Sequence, residues 1–178
     1  MLKHILLVLL LLCSTSHAKP LSEKCESLIG NMLNDSFWKS DKQRNERIQI
    51  CVKIIESSVS SNIDFKLSLA IAWHESRFTY ADNGYCLGPL QIKTKYWCEN
   101  KNGEWSEHKA DGYEPTCDLI HRGVFAIKYW SDKRGEGSKR MLCAYAGSPD
   151  CISGQAKEFA YSVPKIKLRI SKIWNAIE

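Results

Sequence analysis

The chain has 178 residues, 44% of them hydrophobic and 25% charged, with a formal net charge of +5. That balance excludes intrinsic disorder, a collagen-like repeat and a coiled coil, and no apolar run reaches the ~18 residues a membrane span needs. One globular domain with a sizeable core is expected, and its mild positive charge suits an acidic polymer better than a neutral one.

The first segment reads as a leader. Lys3 gives it a positive start, Ile5 to Cys13 is an unbroken apolar run, and Ser16-His17-Ala18 puts small residues at the two positions a signal peptidase reads. The expectation is a secretory signal over 1–18, cleaved near Ala18. A single domain over 19–178 would then be secreted or periplasmic, without stable membrane insertion. An uncleaved anchor would be short for a bilayer, and Cys13 follows Leu12 rather than the small residue that precedes a lipidated cysteine.

Helix signals then follow in chain order. Ser40 or Asp41 can cap a helix to about Ser57, along which Ile48, Cys51, Val52 and Ile55 recur at helical spacing. Asp64 can cap a second, in which Leu67, Leu69, Ala70, Ile71, Ala72 and Trp73 are apolar nearly all round, the pattern of a helix buried inside a domain. This helix ends on His74-Glu75-Ser76-Arg77. From Phe78 to Ile92 the pattern breaks into short pieces punctuated by Asn83-Gly84 and Gly88-Pro89, which predicts a small β-hairpin region. Further helices are expected near Thr94–Trp97, Asp118–Trp130, Ser138–Tyr145 and Gln155–Tyr161. A last one would start at Pro164, with Ile166, Ile170, Ile173, Trp174 and Ile177 on one face. The predicted class is mainly α, an α+β arrangement with the small β element inserted after the buried helix.

Export gives the cysteines a meaning. Cys25, Cys51, Cys86, Cys98, Cys117, Cys143 and Cys151 follow the leader, and an oxidising compartment would pair six of them and leave one over. Cys143 with Cys151 and Cys86 with Cys98 are the local candidates. A zinc site from Cys98, His108, Cys117 and His121 lacks the tight knuckle spacing of structural zinc sites, so disulfides are the better reading and no metal or cofactor is expected.

Chemistry concentrates at Glu75. A carboxylate at the end of the most apolar helix is poorly solvated, which raises its pKa and keeps a proton available near neutrality. A protonated carboxylic acid in an apolar setting is what glycosidic cleavage uses to protonate the leaving-group oxygen. The plainer alternative is that Glu75 pairs with His74 or Arg77 on a solvated helix end.

The flanking residues favour the first reading. Ala70-Ile71-Ala72-Trp73-His74-Glu75-Ser76-Arg77-Phe78, then Gly88-Pro89-Leu90-Gln91-Ile92, then Leu142-Cys143-Ala144-Tyr145-Ala146-Gly147 resemble, in this order, three segments of the soluble lytic transglycosylases and the related goose-type lysozymes. The resemblance covers roughly 63–163. It implies a lysozyme-like fold and cleavage of the β-1,4 bond between N-acetylmuramic acid and N-acetylglucosamine in peptidoglycan glycan strands. Glu75 would be acid and then base, and Ser76, Gln91 and Tyr145 would line the glycan site. Each of those three has a structural alternative: Ser76 as a helix terminator, Gln91 as a satisfied polar residue, Tyr145 as core packing. Pro89-Leu90 stands where the family has Leu-Met. Ala146 stands where it has Asn, so another group, such as Gln91 or Ser148, would have to supply that contact, or catalysis would be weaker.

No phosphate loop, Gly-x-Ser-x-Gly elbow or His-Glu-x-x-His helix is present, and nothing points to nucleic acid. Lys165, Lys167, Arg169 and Lys172 read as a solvated face of the last helix, and Tyr96, Trp97 and Trp105 as packing around the cysteines. The leading expectation is an exported peptidoglycan lytic transglycosylase. The alternatives are a hydrolytic lysozyme, with Asp82 as the nearest second carboxylate, and a non-catalytic glycan-binding protein.

Overall fold

Helix starts in this chain are marked by side chains that accept hydrogen bonds from otherwise orphaned amides. Ser40 accepts from the Gln43 N–H, Asp64 from Lys66, Asp118 from both Ile120 and His121, Ser138 from Met141 and Ser153 from Ala156. Such caps contribute about 1 kcal/mol each. In a computed structural model, which describes residues 19–33, 40–82, 84, 86–97 and 118–178, these caps open five of the helices. The full order among the described residues is α1 Leu21–Met32, α2 Asp41–Ser60, α3 Phe65–Ser76, α4 Thr94–Trp97, α5 Leu119–Arg134, α6 Lys139–Tyr145 and α7 Gly154–Ile177.

The organising element is α3. Seven consecutive residues, Leu67 to Trp73, are buried, so this helix needs partners on every side. It packs against α7 and α2, while α1 closes against α2 and α7, and α5 bridges α2 and α6. Leu69, Ala70, Ile71 and Ala72 are fully buried. Each burial of a Leu or Ile side chain contributes about 1.5–3 kcal/mol. Among the described residues two disulfides tie the shell. Cys25–Cys51 joins α1 to α2, and Cys143–Cys151 joins α6 to the turn before α7. Among the described residues no helix is long and apolar enough to cross a membrane.

The mainly helical class and the Cys143–Cys151 bridge are as expected, and four details differ. First, α1 is not among the predicted helices, although Leu21, Cys25, Leu28, Ile29 and Met32 recur on one face and the last four are buried. Second, the two predicted C-terminal helices are one. Pro164 is exposed inside α7, and Phe159 and Val163 before it and Ile170 and Trp174 after it all bury, which offsets the ~3 kcal/mol cost of an interior proline.

Third, the predicted β-hairpin region is not formed: among the described residues there is no strand, only the isolated bridges Asp82↔Leu87 and Leu87↔Ile92. Leu87 and Ile92 exchange both backbone hydrogen bonds, at 2.9 and 3.1 Å, and close a tight turn over 88–91. Within it Gly88 (φ 77°) and Gln91 (φ 47°) leave the β region and Pro89 has no N–H, so a ladder cannot propagate. Fourth, the expected Cys86–Cys98 bridge is not made, because Cys86 carries a thiol. The expected leader over 1–18, Cys98, Trp105, His108 and Cys117 lie outside the described residues.

The turn over 88–91 is pressed onto α5. A Cβ on Gly123 would come within 2.5 Å of Leu90 Cδ1 and 2.7 Å of its Cβ, and a Cβ on Gly88 within 2.9 Å of Leu119 Cβ. Gly123→Val should therefore push the turn off the helix and lower unfolding stability by about 1–3 kcal/mol in urea titration. An unchanged midpoint would show that the turn is not seated there. Intact-mass analysis of oxidised protein lacking residues 1–18, with thiol alkylation, should find one labelled cysteine per chain at Cys86. Cys98 and Cys117 would then pair with each other, and label on either of them would refute that pairing.

Candidate functional site

Glu75 is the penultimate residue of α3, and the backbone beyond it is strained. Arg77 (φ 56°) and Phe78 (φ 59°) both occupy the left-handed region. Each such residue costs on the order of 1–3 kcal/mol unless its surroundings hold it there. Phe78 is fully buried, edge-on to Trp73 at 5.7 Å, and the Arg77 carbonyl accepts from Arg47 Nη1 at 2.9 Å.

This turn sends the neighbouring basic groups elsewhere. The Arg77 guanidinium lies over the Trp73 ring, 5.0 Å from its centroid, and donates to the Trp73 carbonyl. His74 packs edge-on against Phe159 at 4.8 Å; burial, reinforced by the Arg77 charge, lowers its pKa, so it is mostly neutral at pH 7. Neither forms an ion pair with Glu75. The Glu75 carboxyl takes no hydrogen bond or ion pair from a described residue, and burial pushes its pKa from 4.5 up to about 7. A half-buried carboxyl, protonated about half the time at neutrality, stands at the end of the helix.

Three further residues singled out in the sequence converge on the 88–91 turn, which Ser76 ties to this helix end. Ser76 Oγ donates to the Pro89 carbonyl at 2.8 Å, lies 3.2 Å from the Ala72 carbonyl, and accepts from the Thr79 N–H at 3.1 Å. Gln91 Nε2 donates to the carbonyls of Ala81 and Gly88, both at 2.8 Å. Tyr145 donates its phenol proton to the Leu90 carbonyl at 2.7 Å and stacks on Phe159, with ring centroids 5.9 Å apart. Its pKa lies well above the usual tyrosine range, through burial and then the nearby charge of Glu75. Ser76 ties the 88–91 turn to the end of α3, Tyr145 ties it to the end of α6, and Gln91 braces it from within.

Two residues not singled out there as site residues join this cluster. The Cys86 thiol has its pKa raised, by burial first, with the Lys93 charge lowering it and the Glu75 charge raising it. Lys93 is exposed, and its Nζ lies 4.0 Å from where a Cβ on Gly147 would be, beside Ala146. Neither was legible as part of the site, because Cys86 reads as a disulfide partner and a lone lysine carries no pattern.

Ala146 itself ends α6, its N–H bonded to the Leu142 carbonyl. Of the two candidates to replace the missing amide, the Gln91 amide nitrogen holds the turn. Ser148 Oγ accepts from Ile152 and Ser153 N–H at 3.2 and 3.3 Å. Asp82 is also engaged, accepting from the Gly84 N–H at 2.7 Å. An open groove of about 490 Å³ along α2, lined by residues including Asn45, Gln49 and Tyr80, contains none of the four predicted site residues. On α7, Lys167 pairs with Asp64 at 2.7 Å and Arg169 donates to the Asn31 carbonyl at 2.9 Å, so part of that basic face ties helices together. Trp97 packs edge-on to Phe125 and Tyr129.

Compared with known proteins, the chain matches no protein-family model, no curated protein and no solved structure.

The raised Glu75 pKa makes a signed stability prediction. Its folded-state pKa, about 7, exceeds the 4.5 of an unperturbed glutamic acid, so the stability of the protonated form is complete below pH 4.5 and is lost as pH rises through 7. Glu75→Gln lacks that loss. The variant should match the wild type at pH 4 and exceed it by roughly 2–3 kcal/mol at pH 8. A difference independent of pH would mean that Glu75 is ionised at no cost.

Proposed function

We propose that the chain is an exported peptidoglycan lytic transglycosylase with a lysozyme-like fold, cleaving the β-1,4 bond between N-acetylmuramic acid and N-acetylglucosamine. The observation that carries this reading is the Glu75 carboxyl, half-buried, without an ion-pair partner and with a pKa near 7. The mainly helical architecture around one buried helix, the disulfides and the ordered convergence of Glu75, Ser76, Gln91 and Tyr145 support it.

In this mechanism Glu75 donates its proton to the glycosidic oxygen as the bond to muramic acid C1 breaks. The resulting carboxylate then takes the proton from the muramic acid 6-hydroxyl, whose oxygen closes on C1 to form the 1,6-anhydro ring. No water is consumed, and the acid is restored. Ser76, Gln91 and Tyr145 act by fixing the turn beside the sugar. Hydrolysis would need water positioned by another group, and Asp82 is turned to the Gly84 amide instead.

Digestion of purified peptidoglycan, with mass spectrometry of the muropeptides, should give 1,6-anhydro ends and a rate that falls above pH 7 as Glu75 loses its proton. Glu75→Gln should lower that rate by at least ~100-fold. Reducing ends would reassign the reaction to hydrolysis. Intact strands with the wild type would reject the enzyme reading and leave a glycan-binding role to be tested by co-sedimentation.

A further inference from the structure

The 88–91 turn delivers a cation to the site. Ile92 is locked to Leu87 by two backbone hydrogen bonds, so the backbone from which Lys93 departs is fixed. The Lys93 side chain is exposed and reaches from the end of this turn to the Ala146-Gly147 turn at the end of α6. The Tyr145 phenol spans the same two elements through the Leu90 carbonyl. Lys93, like several other exposed lysines, forms no ion pair with a described residue, and its ammonium stays open to solvent. Lys93 and Glu75 both act on the Cys86 thiol, the first lowering its pKa and the second raising it.

We propose that Lys93 binds the carboxylate borne by the lactyl arm of the N-acetylmuramic acid held at Glu75, so that the site selects anionic glycans over neutral ones. The inference rests on the glycan-cleaving reading above. In that reaction the sugar attacked at C1 is the muramic acid, and this sugar alone in the repeating disaccharide carries an acidic arm. In peptide-free strands the carboxylate is the lactyl group itself; in strands bearing peptides it belongs to the attached peptide. A hydrated lysine facing such a group gives a modest, screened attraction. The consequence is preference among glycans rather than catalysis.

The test measures binding in a Glu75→Gln background, so that cleavage does not intervene. Three probes are used: neutral N-acetylglucosamine oligomers, peptide-free alternating strands and peptide-bearing strands. Lys93→Met should weaken binding of the anionic strands by about two- to fivefold at low salt, with the difference shrinking at high salt, and leave neutral oligomers unchanged. Lys93→Arg should restore the anionic preference. A loss on both anionic probes assigns the arm generally, and a loss on peptide-bearing strands alone assigns the peptide carboxylates. An equal loss on neutral oligomers, or no loss on any probe, overturns the proposal. Wild-type digestion of peptidoglycan then shows separately whether the enzymatic reading stands. Failure of every form to bind any glycan overturns both.

Discussion

A buried carbonyl without a donor costs about as much as a lost hydrogen bond, and the turn over 88–91 presents several to the end of α3 without a strand beside it. The site is shaped by how that debt is met. The Leu87–Ile92 pair closes the turn on itself, which leaves the carbonyls of Pro89 and Leu90 facing outward from it. Ser76, from the end of α3, donates to the first, and Tyr145, from the end of α6, donates to the second. Gln91 ties the turn internally and to the Ala81 carbonyl. Two helix ends and a connecting segment are thereby fixed relative to one another by side-chain donors. Leu90, wedged against the bare backbone of Gly123, makes the arrangement dependent on close packing as well as on polarity.

This explains why polar residues expected to contact a ligand have much of their hydrogen-bonding capacity spent within the protein. Their proposed contribution is positional. A reacting sugar would meet Glu75 beside a turn that does not have to be organised at the moment of reaction, and preorganisation of this kind is where small displacements are costly. A Tyr145→Phe change would leave the Leu90 carbonyl short of a donor in a buried setting, so its effect on activity would be mixed with an effect on the turn.

Much of the helical frame was legible because burial imposes periodicity: the all-round apolar pattern of 67–73, following the Asp64 cap, reads as a helix with neighbours on every side. The caps at Ser40 and Asp64 were legible for the same local reason, a short polar side chain before a helical run. The continuity of α7 through Pro164 was not, since a local rule says stop and only tertiary packing on both sides of the proline overrides it. The predicted β element failed because its punctuation, Gly88-Pro89 with Gln91 in a left-handed conformation, builds one closed turn, and sequence does not show that side chains from distant helices will satisfy its carbonyls. At the site, Glu75 was visible from its position at the end of an apolar run. The approach of Lys93 to Gly147 was not, because that separation exists only after folding.

The strained turn after α3 and the proton on Glu75 are connected. An opposite charge within ~4–6 Å of Glu75 would favour the ionised carboxylate and lower its pKa, and Arg77 is the nearest basic residue along the chain after it. The left-handed conformations of Arg77 and Phe78 instead bury the phenylalanine and lay the guanidinium back over Trp73, where the ring and the Trp73 carbonyl hold it. Burial of Glu75 then acts unopposed and places its pKa near 7. That position suits a group which must give up a proton and take one back in a single cycle, because neither half of the cycle then works against a large protonation cost. The Arg77 contacts with Trp73 thus leave Glu75 a partly protonated buried carboxyl rather than half of a surface ion pair.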